Sequence, residues 1–168
     1  MKIEDLFEAF NSNYPIQQES PLGSTYRYSF TTETGNTFFI YFEHLPTGMA
    51  TEHYEQIFRI GIKDGIPDGV DLSFYIQDSD GNMMRKYETT EIIGNEPNPV
   101  KIFSTVMNMG KVFLEKSGVG YATFDGDNAL GSLYARMVPR YVPSGYKYFS
   151  NRIGSNTKFL IIREEFVV

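Results

Sequence analysis

The sequence predicts an α+β protein with a mostly antiparallel central sheet and helices packed on its faces. Three observations predict it. Aromatic and polar residues alternate through the first half, in segments broken by Gly, Asn and Asp. One long stretch, residues 98–118, carries its apolar residues at helical spacing instead. Strand-like and helix-like segments then alternate to the C-terminus, and each apolar helix stripe needs a sheet to cover it.

In chain order, Ile3, Leu6, Phe7 and Phe10 lie at helical spacing, and the Asn and Pro residues after them end a short opening helix. Tyr26, Tyr28 and Phe30 alternate with polar neighbours, Thr34, Gly35 and Asn36 make a turn, and residues 38–42 form an aromatic return strand. Tyr54, Ile57 or Phe58, Ile60 and Ile62 read as a further alternating strand, with a short helix as the alternative. "DGIPDG" closes it with turn residues. "VDLSFYIQDSDGNMMRKYETTEII" reads as a strand, a hairpin turn at Asp80 and Gly81, and a return strand.

Asn98 as N-cap, Pro99 at the first helical position and Gly118 as the stop frame a buried helix striped by Phe103, Val106, Met107, Gly110, Phe113 and Leu114. "VGYATFDG" is a strand. Asp127 opens a last helix through Leu130, Leu133, Tyr134, Met137 and Val138, which Pro139 ends. Residues 146–149 and 159–162 make two final strands. The 168 residues suit a single domain, with a helix and antiparallel strands over 1–97 and helix-strand-helix-strand-strand over 98–168.

Composition excludes several classes. With 41% hydrophobic and 21% charged residues the chain is globular, not disordered. The absence of cysteine removes disulfides, thiolate metal sites and a Cys nucleophile. No apolar run reaches the roughly 20 residues of a membrane-spanning helix, and "MKIEDLFEAF" is acidic where a secretory signal is basic and then apolar. A cytoplasmic protein without a membrane partner is the expectation.

Catalytic signatures are weak. His44 and His53 lack a metal-binding spacing and read as hairpin-end or loop residues. Asp78, Asp80 and Gly81 are out of phase with a calcium loop, so no metal is expected. Gly118 and Gly120 precede a strand instead of opening a helix from one, against a dinucleotide loop. Ser104, Ser132 and Ser144 have no histidine near in sequence.

Charge is more informative. The chain carries a net charge of -6, yet residues 130–163 hold six Lys or Arg and no Asp or Glu, while residues 1–70 hold four basic and ten acidic side chains. Arg136, Arg140, Lys147, Arg152 and Lys158, with Tyr134, Tyr141, Tyr146 and Tyr148, are the candidate partner-binding residues of one basic, aromatic surface. Arg136 and Arg140 also suit the C-terminal end of a helix, where the dipole favours cations. Pairing of these cations with the acidic first half, in the same chain or in a second copy as a homo-oligomer, carries equal weight. A sequence pI of about 4.9 argues against nucleic acid as the main partner and leaves a protein partner in front.

The order strand, central helix, strand, helix, strand, strand, together with "DNALGSLYARM...SGYKYF", resembles the C-terminal half of the GCN5-related N-acetyltransferase fold over residues 84–163. That resemblance implies acetyl-CoA as cofactor and Tyr134 as the catalytic acid for the departing thiolate. The corresponding phosphate loop, "IIGNEPNPVKIF", has Glu96, Pro97 and Pro99 where backbone donors would face pyrophosphate. The chain also resembles uncharacterised small proteins of tailed bacteriophages, which places it in a host cytoplasm. The expectation is a non-enzymatic viral accessory protein without a cofactor that binds an acidic protein partner, host-encoded proteins among the candidates; an acetyl-CoA-dependent N-acyltransferase and a local nucleic-acid binder are the alternatives.

Overall fold

The computed structural model describes residues 13–19, 23–77, 82, 84 and 86–168. The opening helix over residues 3–10 and the turn at Asp80 and Gly81 lie outside the described residues. The elements are β1 (Gln17–Gln18), β2 (Thr25–Thr31), β3 (Thr37–Leu45), α1 (Thr47–Phe58), β4 (Gly69–Ile76), α2 (Lys86–Asn95), α3 (Pro99–Ser117), β5 (Tyr121–Asp127), α4 (Asn128–Met137), β6 (Tyr146–Ile153) and β7 (Asn156–Arg163). The fold is α+β: the strands form one mixed, largely antiparallel sheet in the order β1-β2-β3-β4-β5-β7-β6. β4 and β5 are its parallel neighbours, with Val70 opposite Ala122 and Asp71 opposite Thr123. His44 meets Asp68 and Tyr41 meets Tyr75, so β3 and β4 run in opposite directions.

The chain forms two compact units, residues 1–41 with 73–109 and residues 42–72 with 110–168. In the first, Tyr14, Phe30 and Phe38 stack with centroids 5.5 and 5.4 Å apart, and Phe74 meets Phe103 edge-on. The β2–β3 turn is held from a distance in sequence. Glu96, only 6% exposed, accepts hydrogen bonds at Oε1 from Thr32 Oγ1 (3.1 Å), Thr34 Oγ1 (2.7 Å) and Asn36 Nδ2 (2.6 Å). Tyr14 donates its hydroxyl to Glu33 (2.6 Å) and its amide to Thr105 Oγ1 (3.0 Å).

In the second unit the pleat separates two cores. Alternation and register put Tyr121, Leu160, Ile162 and Phe149 on one face, where Tyr54 and Phe58 of α1 cover them. Phe124 and Phe159 lie on the other, stacked at 4.7 Å, with Tyr134 of α4 edge-on to both. No Cβ fits at Gly126, where one would stand 2.6 Å from the Tyr134 ring. On that same face Phe42 stacks on Phe113 of α3 at 4.0 Å.

Two expectations are corrected. Residues 47–58 are helical, so of the two readings of the segment from Tyr54 to Ile62 the strand is overturned and the short helix holds as far as Phe58. Tyr54, Ile57 and Phe58 satisfy a helical stripe equally well, and Arg59 closes the helix in the left-handed region at φ 54° with its amide on Glu55 O. The return strand after Asp80 is instead α2; Met84 donates to Ile76 O (2.9 Å), and helix follows from Lys86. The helix-strand-helix-strand-strand order over 98–168 is present as α3, β5, α4, β6 and β7. Ile102 N–H bonds Asn98 O (3.3 Å) at the start of α3, and Gly118 sits at φ 69° just past its end.

Candidate interaction surface

β6 is the outermost strand, and register fixes which way its side chains point. Tyr148 is opposite Ile161, Ser150 opposite Phe159 and Arg152 opposite Thr157, so Tyr146, Tyr148, Ser150 and Arg152 share the face that α4 packs on. Lys147 is opposite Ile162 and Asn151 opposite Lys158, so Lys147 and Lys158 lie on the α1 face. The nine predicted residues therefore do not form one surface. Contiguity in sequence becomes alternation between faces in a strand.

Tyr134 is a further correction. It is 5% exposed and wedged between Phe124 and Phe159, so it packs the core beneath α4 and is not a surface contact. Its burial, with the Asp127 charge as a lesser cause, pushes its hydroxyl pKa upward, away from easy proton donation. Tyr146 is engaged too, donating its hydroxyl to Val119 O (3.0 Å) and lining a cavity of about 490 Å³ with Glu115, Arg163, Glu164 and Glu165. Its charged lining is mainly acidic, three Glu to one Arg, and Arg163 is itself paired with Glu165. Lys158 pairs with Asp125 (3.4 Å).

A smaller set shares exposure and one side of the sheet. Arg136, Arg140, Tyr148 and Arg152 are exposed and belong to the α4 side of the sheet, with Tyr141 half-buried between the helix and β6 in sequence. Among the described residues, Lys147 and Arg152 take part in no ion pair. Four residue steps separate Tyr148 from Arg152, about 13 Å of strand at about 3.3 Å per residue.

Sequence reasoning missed Asp71. Its carboxyl is half-buried on the α1 face and accepts from Thr123 Oγ1 (3.0 Å). Burial chiefly raises its pKa, to about 6, with the Asp125 and Glu43 charges adding and the Thr123 hydrogen bond and Lys158 opposing. A carboxyl inside the apolar run "VDLSFYI" was the available signal. Because the folded pKa lies above the ordinary value of 3.8, Asp71 favours folding only when protonated. That contribution is full below about pH 4 and is lost as pH rises through about 6. Asp71→Asn is expected to match the parent at pH 4 and to exceed it by about 1 kcal/mol at pH 8, discounted for partial exposure, in urea titrations at the two pH values.

Three other sequence candidates have neighbours of their own. His44 pairs with Asp68 at 2.7 Å on the surface, and His53 lies beside the Tyr54 ring at 5.7 Å. Ser104 bonds back to Lys101 O and to Asn13. Among the described residues no group of three or more His, Cys, Asp or Glu is arranged to hold a metal, and no helix is long and apolar enough to cross a membrane.

Comparisons with protein-family models, curated proteins and solved structures found no match.

Proposed function

We propose that the chain is a non-enzymatic accessory protein, phage-encoded and built on a degenerate acetyltransferase-like fold, that binds an acidic protein partner on the α4 side of β6. The observation that carries this reading is the common side of Arg136, Arg140, Tyr148 and Arg152, all exposed. A footprint that runs about 13 Å along β6 and adds two arginines from the α4 end suits a protein surface better than a small ligand. Arg and Tyr are the side chains that most often anchor such contacts. The order α3-β5-α4-β6-β7 supports the fold resemblance. The non-enzymatic part is supported by two commitments: Tyr134 is spent on packing, and Glu96, in the segment that would face a pyrophosphate, is spent on the β2–β3 turn.

Arg136→Glu with Arg140→Glu is expected to cut capture of an acidic host protein at least tenfold while leaving the circular dichroism spectrum unchanged. Equal capture by parent and variant would overturn the reading.

Asp71 favours the second reading, an acetyl-CoA-dependent N-acyltransferase. A half-buried carboxyl with a pKa near 6 is a suitable base for an acceptor ammonium.

A further inference from the structure

The open edge of β6 has a geometry that goes beyond partner docking and does not depend on it. Arg163 donates its amide to Gly120 O (3.0 Å), so the odd residues of β7 direct their main chain to β5 and the even ones to β6. Through the β6–β7 register, Lys147, Phe149, Asn151 and Ile153 are the β6 residues bonded to β7. Tyr148, Ser150 and Arg152 therefore turn their N–H and C=O groups outward. The amide of Tyr146, which fits the same phase, bonds Pro143 O (3.1 Å).

Tyr148 and Ile153, 37% and 42% exposed, are two of the four large hydrophobic residues exposed among those described. An edge strand of this length with apolar side chains invites strand addition.

We propose that β6 pairs antiparallel with β6 of a second copy about a two-fold axis through Ser150. Outward residues must meet outward residues for the ladder to close, which forbids placing Lys147 opposite Arg152. Centred on Ser150, the pairing sets Tyr148 opposite Arg152 and Lys147 opposite Ile153, twice each by symmetry. Each guanidinium then meets a tyrosine ring of the other copy on the same face, and each lysine stem lies along an isoleucine. No like charges face each other. A shift by two residues loses this match: it sets Arg152 opposite Tyr146, whose hydroxyl is already bonded to Val119 O, or opposite Ser150. The second copy is favoured over an unrelated acidic strand because the edge is complementary to itself in cations, rings and hydrogen-bond phase.

The chain lacks cysteine, which makes the test direct. Ser150→Cys, oxidised in air, is expected to give a disulfide-linked dimer, and Ser155→Cys in the exposed β6–β7 turn is expected to remain largely uncrosslinked. In sedimentation velocity from low to several hundred micromolar, the parent should show concentration-dependent dimerisation. Ser150→Pro removes only an outward donor, so it should abolish the dimer with the fold retained, and Arg152→Glu should weaken it at least tenfold. A parent monomeric across the range, or equal crosslinking at 150 and 155, overturns the proposal. So does a monomer that binds poly-L-glutamate in a manner lost on Arg152→Glu, because the edge would then belong to an acidic partner strand.

Discussion

Phe159→Ala is expected to lower the unfolding free energy by about 3–5 kcal/mol. Phe159 is 1% exposed and lies at the centre of the contact that holds α4 on the sheet, stacked on Phe124 and edge-on to Tyr134. Truncation removes the apolar transfer term, leaves a cavity, and deprives two further rings of their packing partner. Relaxation is limited, because Gly126 and the flanking Leu160 and Ile161 belong to paired strands that cannot collapse inward cheaply. Urea denaturation with an unchanged slope checks the value; a loss below about 1 kcal/mol would mean that α4 is anchored by something else.

Glu96→Ala is expected to cost about 2–4 kcal/mol. One buried carboxylate oxygen accepts from Thr32, Thr34 and Asn36, so its removal costs three hydrogen bonds and leaves these donors only their contacts with one another and with water around the β2–β3 turn. Glu96→Gln retains an acceptor oxygen and should recover more than half of that loss. Equal stability of the two variants in thermal and urea denaturation would show that the hydrogen bonds contribute little.

The sequence made local elements legible wherever one periodicity was unopposed. Asn98, Pro99 and Gly118 framed α3 because capping and helix termination depend on neighbours in the chain. The β6–β7 hairpin was readable from two apolar runs around Gly154, which adopts φ 59° in the turn. The segment around α1 was ambiguous, since Tyr54, Ile57 and Phe58 fit both periods, and packing on Tyr121 and Leu160 decided it. The surface was misread for a different reason. A run of cations along a strand alternates between faces, so Lys147 and Lys158 part from Tyr148 and Arg152. Tyr134 could have been assigned correctly, because it belongs to the same apolar stripe as Leu133, Met137 and Val138. Glu96 and the Thr32–Thr34–Asn36 set are some sixty residues apart, a pairing that no local pattern reveals.

Calorimetric titration of the full chain with acetyl-CoA tests the non-enzymatic assignment most directly. No saturable heat is expected at micromolar protein, since the segment that the proposed acetyltransferase likeness would set against a pyrophosphate carries Pro97, Pro99 and a Glu96 already bonded to the β2–β3 turn. Saturable micromolar binding would contradict it, and loss of turnover in Asp71→Asn with binding retained would move the function to acyl transfer.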